Sequence, residues 1–137
     1  MENHFICPHC RGHLKVGDYL IFRVQNVKKE KGLLLLHPEI GNYSSIKHPS
    51  FEYKEGDRLD FSCPVCSHAL DSDIEENLIH VVMIDKEEKE SDIYFSRIAG
   101  EKSTYQVMGG TVMATGAHSS KYTYFKMSDK FKRFLNR

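Results

Sequence analysis

Two four-residue stretches, Cys7-Pro8-His9-Cys10 and Cys63-Pro64-Val65-Cys66, contain all four cysteines of this 137-residue chain and restrict its fold more than any other feature. A CxxC turn holds two thiolates on one side of a tight loop, and two such turns complete a tetrahedral sulfur shell around one cation. The stretches therefore read as the halves of a single metal site with Cys7, Cys10, Cys63 and Cys66 as ligands. The ion expected is Zn²⁺. Iron accepts the same four thiolates, and ligand type alone does not choose between the two metals.

The wider pattern is Phe5-x-Cys7-Pro8-His9-Cys10-x₃-Leu14, repeated as Phe61-x-Cys63-Pro64-Val65-Cys66-x₃-Leu70. It resembles the knuckles of the zinc-ribbon family, and rubredoxins share the Cys-Pro-x-Cys form. The resemblance implies that a strand delivers the first cysteine, that proline fixes the turn, and that backbone N–H groups point at the sulfur. It covers about a quarter of the chain, so it implies a local structure and not an activity. Two departures stand out. The family usually places glycine after the second cysteine, where this chain has Arg11 and Ser67, with Gly12 one place late. The gap between the knuckles is 52 residues, against a usual spacing of about 15–20. Closing the longer loop costs only about 1 kcal/mol more, whereas structural zinc contributes roughly 10–16 kcal/mol in small domains.

Other readings of the cysteines are weaker. A disulfide framework needs an oxidising compartment, and Met1-Glu2-Asn3-His4-Phe5 carries neither a basic n-region nor an apolar h-region, so a cytoplasmic location is expected. Cys-Pro-His-Cys is also the active-site sequence of the periplasmic disulfide oxidases related to thioredoxin. There it opens a helix after a core strand, and a start at residue 7 leaves no room for one.

Apolar residues make up 40% of the chain, enough for a modest core. No apolar run approaches the length of a membrane-spanning helix. Nineteen basic and nineteen acidic side chains cancel, and four thiolates with one divalent ion leave about −2. A dedicated nucleic-acid binder is usually basic. The charges are unevenly placed, however. Residues 71–128 hold ten acids against six bases, and residues 129–137 hold four bases against one acid.

Along the chain, Gly17-Asp18 signals a turn, and residues 19–27 alternate with Leu20, Phe22 and Val24 on one face. Lys28-Lys29-Glu30-Lys31-Gly32 reads as a hairpin tip, leading into Leu33-Leu34-Leu35-Leu36, a strand expected to be covered on both faces. Residues 37–50, with two His-Pro pairs, read as a loop. Phe51-x-Tyr53 and Leu59-x-Phe61 flank Gly56-Asp57 with period two, predicting a hairpin whose second strand carries Cys63.

Ser72-x-x-Glu75 is a capping-box pattern for a helix of one or two turns. Strands at 78–85 and 93–98 follow, separated by a charged tip. This order repeats the first half, at an offset of 56 at the cysteines that grows to about 60 when Leu33 is matched to Ile93. Two repeats, each supplying two thiolates, would meet across one metal. Further strands are expected at 103–108 and 121–127, bracketing the glycine-rich run 109–120. That run lacks the endings of a P-loop or a dinucleotide turn and reads as a plain strand or loop. His118 beside Ser119 has no identifiable acid to orient it. Phe131, Phe134 and Leu135, following Ser128, predict a short C-terminal amphipathic helix.

The expected fold is therefore mostly β, with a zinc-ribbon-type site joining β-hairpins and a short C-terminal helix. A zinc-ribbon portion (1–70) and a β-meander (71–137) are expected to pack as one unit. Arg11, His13 and His68 are candidates for support around the thiolates, with Lys15 and Arg58 offsetting their charge and His9 on the surface. Lys130, Lys132, Arg133 and Arg137 form a candidate interaction surface. The leading functional expectation is a non-catalytic module with structural zinc that binds another macromolecule, a protein rather than a nucleic acid. The alternatives are a nucleic-acid-binding ribbon and an enzyme with a site near residues 109–120.

Overall fold

A computed structural model describes residues 3–40, 42–72, 74, 75, 77–108 and 111–116. They form two antiparallel sheets, and among them there is no helix. One sheet runs β1 (His4–Ile6), β7 (Leu78–Ile84), β8 (Glu90–Ser96), β9 (Thr104–Met108) and β10 (Thr111–Thr115). The other joins β2 (Lys15–Val16), β3 (Tyr19–Gln25), β4 (Lys31–Leu36) and β5 (Ser45–Lys47), with β6 (Asp60–Ser62) on the β2 edge of β3. The predicted C-terminal helix and the strand at 121–127 lie outside the described residues.

The two-residue period of the strands decides what each sheet buries. Leu20, Phe22, Val24 and Leu34 turn inward from one sheet, and Ile79, Val81, Met83 and Ile93 from the other, forming one core cluster. Phe22, Phe61 and Phe95 close a triangle at its centre, with ring centroids 5.4, 5.6 and 5.5 Å apart and tilted or edge-on packing. Such pairs add about 0.5–1.5 kcal/mol each beyond the area they bury.

The second half repeats the first. Asn26 closes the tip between β3 and β4 by accepting from the N–H groups of Lys28 and Glu30. Asp85 closes the tip between β7 and β8 in the same way, accepting from Glu87 and Lys89. Lys29 (φ 68°) and Glu88 (φ 65°) take the left-handed position in these two tips. The constant offset from β3 and β4 to β7 and β8 is 59, seen in Asn26 and Asp85, so Leu33 corresponds to Asp92 and not to Ile93. The one-residue correction follows from the two-residue period of a strand, because Leu33 faces outward and Ile93 inward.

The halves are interlocked by exchange of their first strands. Phe5 in β1 pairs with Met83 in β7, and Phe61 in β6 pairs with Val24 in β3, which are the same pairing under the offsets of 56 and 59. Each half thus lends the strand that enters its knuckle to the sheet of the other, in a pseudo-twofold arrangement.

Several local expectations are corrected. The leucine run is not covered on both faces: Leu34 is buried, but Leu33 is 51% exposed on the outer face. Residues 37–50 are not all loop, since β5 pairs with β4 through Ile46 and Leu35. Residues 51–53 do not form a hairpin with 59–61. Leu59 N–H instead donates to Arg97 O and Ala99 N–H to Asp57 O, tying this segment to the chain after β8. Ser72 Oγ accepts from Glu75 N–H (3.1 Å) as a cap would, but Ser72 N–H donates to Leu78 O and not to the Glu75 carboxylate, and the chain closes a turn through Leu78 N–H to Glu75 O and enters β7.

Gly32 does not end the tip. It lies within β4, where an added Cβ would stand 2.8 Å from the Phe51 ring, itself buried. Gly32→Ala is expected to destabilise the protein by about 1–3 kcal/mol, because the ring has only the core to move into. Urea unfolding checks this, with a shift below about 0.5 kcal/mol counting against it.

Candidate metal centre

Each knuckle is built by the same three backbone contacts. Arg11 N–H returns to Cys7 O (2.9 Å) and Ser67 N–H to Cys63 O (2.9 Å); Cys7 N–H donates to Gly12 O and Cys63 N–H to His68 O. Leu14 and Leu70 then donate to the carbonyls of Phe5 and Phe61, returning the chain antiparallel to the strand it left. Arg11 (φ 63°) and Ser67 (φ 67°) occupy the left-handed position where ribbons usually place glycine. A non-glycine residue there costs roughly 1 kcal/mol or more, which a metal bound by the four thiolates would offset.

The exchange of first strands sets the two knuckles face to face. All four sulfurs lie within 4.8 Å of one another. Cys7 Sγ is 3.8 Å from Cys66 Sγ, and Cys10 Sγ is 3.8 Å from Cys63 Sγ. A tetrahedral shell with metal–sulfur bonds of about 2.3 Å has sulfur–sulfur edges of about 3.8 Å, so the donor set fits a bound ion. A disulfide would need the sulfurs at about 2.05 Å, and all four cysteines are free.

The sulfurs differ in surroundings. Cys7 and Cys63 are fully buried, Cys66 is half-buried and Cys10 is exposed. Backbone N–H groups of His9 and Val65 point at the Cys7 and Cys63 sulfurs from 3.3 Å, and that of Gly12 points at Cys10 from 3.3 Å. In the metal-free protein, burial pushes the Cys7 thiol up to about 12 and also raises Cys63, against the backbone N–H groups that lower both. The His68 N–H is the main cause bringing Cys66 down to about 7.

Binding an ion must therefore displace at least the protons of Cys7 and Cys63 near neutral pH. Thiols hold these protons below their pKa, so lowering the pH weakens binding. Apparent metal affinity is expected to fall at least about a hundredfold per pH unit lowered from 8 to 7, two protons being released. Competition titration against a chromophoric chelator measures this, and a slope near zero would contradict it.

The residues proposed to support the thiolates are placed as follows. Arg11 turns to Glu90, donating at 2.8 and 3.4 Å to its two carboxylate oxygens. The His68 ring stacks on His9, centroids 4.4 Å apart and 19° between planes, bridging the two knuckles on their exposed side. The equivalent pair on the other side is Val65 against Gly12, where a Cβ on Gly12 would meet Val65 Cγ2 at 3.4 Å. His13 meets the edge of His4 at 5.4 Å. Arg58 is exposed on the segment bridged to Ile98, and Lys15 lies in β2. Lys130, Lys132, Arg133 and Arg137 lie outside the described residues, as do His118 and Ser119. Of the glycine-rich run, residues 111–115 form β10, in full register with β9.

Sequence reasoning missed Arg97. It follows β8, is 1% exposed, and its guanidinium donates to Asp60 Oδ1 at 3.1 Å and to Asp71 Oδ1. Asp60 opens β6, the strand that enters the Cys63–Cys66 knuckle, and Asp71 follows the knuckle, so Arg97 clamps both legs of that turn. An isolated arginine in the sequence gave no signal for this, since neither partner is near it along the chain.

Comparison with protein-family models, curated proteins and solved structures finds no match to this chain.

Proposed function

We propose that this is a non-catalytic binding module in which zinc, held by Cys7, Cys10, Cys63 and Cys66, is structural and an exposed β surface takes a protein partner. The sulfur tetrahedron between two interlocked halves carries this reading. Four thiolates fill the coordination shell, leaving no open position for an activated water, and the ion links segments that the chain separates by 52 residues. Such an ion holds structure in place; it does not process a substrate.

The surface is the outer face of the β2–β5 sheet. Ile21, Leu35 and Ile46 form a row across β3, β4 and β5, and Leu33 stands beside it opposite Arg23. Leu33 and Ile46 are 51% and 48% exposed. Their counterparts in the other half are Asp92, which is polar, and Tyr105, which is buried. An apolar row rimmed by an arginine suits a protein interface.

Elemental analysis is expected to return one zinc per chain. Affinity capture with the wild type and a Leu33→Glu, Ile46→Glu variant is expected to recover a partner with the wild type alone, while both proteins melt at the same temperature, as substitutions at exposed positions usually allow. Equal capture by the two proteins would remove the proposed face. Salt-dependent binding of mixed oligonucleotides would replace it with a nucleic-acid interface.

A further inference from the structure

The two sheets differ on the faces they turn away from the core. In the sheet that holds β7, β8 and β9, the register sets Val82, Asp92 and Val107 in one outward row and His80, Tyr94 and Tyr105 in the next, while Ile79, Val81, Met83 and Ile93 point into the core. The outward face of an antiparallel sheet is commonly wet. Here much of it is dry: Val82, Tyr105 and Val107 are 6%, 1% and 3% exposed, and Leu78, on the same face, is fully buried.

The pseudo-twofold supplies a control. Under the offset of 59, Ile21, Arg23 and Leu35 stand where His80, Val82 and Tyr94 stand, and none of the three is buried; Ile46, the counterpart of Tyr105, is 48% exposed. Equivalent strands therefore leave one outer face open and keep the other covered. The partly buried apolar residues packed against Leu78, Tyr105 and Val107 are Ile74, Tyr94 and Val112. Tyr94 and Val112 belong to strands of the same face, and Ile74 comes from the turn before β7. A neighbour in the next strand, about 4.8 Å away, shields the flank of a tyrosine ring and not its top, so these residues need a further apolar layer over β7–β9.

We infer that residues 117–137 of this same chain fold back over this face and roof it with Phe131, Phe134 and Leu135. The described chain ends at Gly116, directly after β10, so the remainder starts on the edge of the covered sheet. Crossing from β10 to β7 spans three strand spacings, about 14 Å, and the residues between Gly116 and Asp129, at up to about 3.3 Å each, reach that far with slack. The chemistry matches: Phe131, Phe134 and Leu135 fall at i, i+3 and i+4, on one side of the helix that the sequence predicts, with Lys132, Arg133 and Arg137 on the other. Charge favours the same seat, because residues 71–128 carry ten acids against six bases and residues 129–137 four bases against one acid. The basic side chains are then held together on the outside of the roof. This inference stands apart from the proposed protein-binding face, which lies on the other sheet.

The test is isotope-edited NOE spectroscopy on the full-length, metal-loaded protein. Cross-peaks are expected from the rings of Phe131 and Phe134 and the methyl groups of Leu135 to Val82, Tyr105 and Val107. In a mixture of labelled and unlabelled chains, a filter that passes only contacts between chains is expected to show none of them. Their appearance there would make the occupant a second copy and overturn the inference. The double variant Phe131→Ser, Phe134→Ser is expected to shift the amide resonances of Val82, Tyr105 and Val107 while leaving those of Leu33, Leu35 and Ile46 in place. Tryptic cleavage after Lys130 is expected to quicken in it at least about tenfold, since burying one phenylalanine is worth about that factor and cleavage follows the population of the open form. Wild-type spectra without the cross-peaks, or an unchanged cleavage rate in the double variant, would equally overturn the inference.

Discussion

Stripping the metal from the folded protein is expected to lower its melting temperature by about 15–30 °C, the equivalent of roughly 5 kcal/mol or more in a domain of this size. The reason lies in what the ion joins. Cys7 and Cys10 follow β1, which is paired to β7, while Cys63 and Cys66 follow β6, which is paired to β3. Each of these borrowed strands is only three residues long, too short to hold by its ladder alone against the entropy of releasing it. An ion held by the four sulfurs would pin both at once. Among single substitutions, Cys63→Ser is expected to approach the effect of metal removal. Cys10→Ser is expected to cost less, because its sulfur is exposed and water can replace it. Calorimetry with and without chelator, paired with metal content, measures both. A shift of less than about 3 °C on complete metal loss would show that the ion is not structural.

Arg97→Ala is expected to destabilise the protein by about 2–4 kcal/mol. Removing one partner of a buried ion pair usually costs about 3–5 kcal/mol, but Asp60 and Asp71 are 57% and 53% exposed and regain water once the arginine is gone, which lowers the figure. The truncation also leaves a void in the wall between the sheets. Arg97→Met fills most of that void without the charge and is expected to recover about half the loss. If both variants unfold at the wild-type urea concentration, the clamp on the Cys63–Cys66 turn contributes nothing to stability.

The halves also show how far a period-two pattern can be read. Alternation in residues 19–27 placed β3, the strand-like run at 78–85 placed β7, and the polar tips after them were legible because a run of Lys and Glu cannot be buried. The same alternation misled at residues 51–61. Phe51 and Tyr53 look like a strand facing Leu59 and Phe61, yet Phe51 covers Gly32 and Phe61 pairs with β3. Period two reports that one side of a segment is buried; it does not name the neighbour that buries it. The capping pattern at Ser72 misled for a related reason, since Ser-x-x-Glu satisfies the first turn of a helix and a tight turn equally well.

By itself the sequence determined the donor set and its local turns. Four cysteines in two CPxC units allow one economical arrangement, and the contacts that shape each knuckle span only a few residues. The tertiary structure decided which sheet each knuckle strand joins, and with it the clamp at Arg97. The physical reason is that β1 would offer the same backbone donors and the same inward Phe5 to either β3 or β7. Ladder hydrogen bonds are indifferent to that choice, so it rests on the closing of the sulfur tetrahedron and on side chains that meet only after the halves have interlocked.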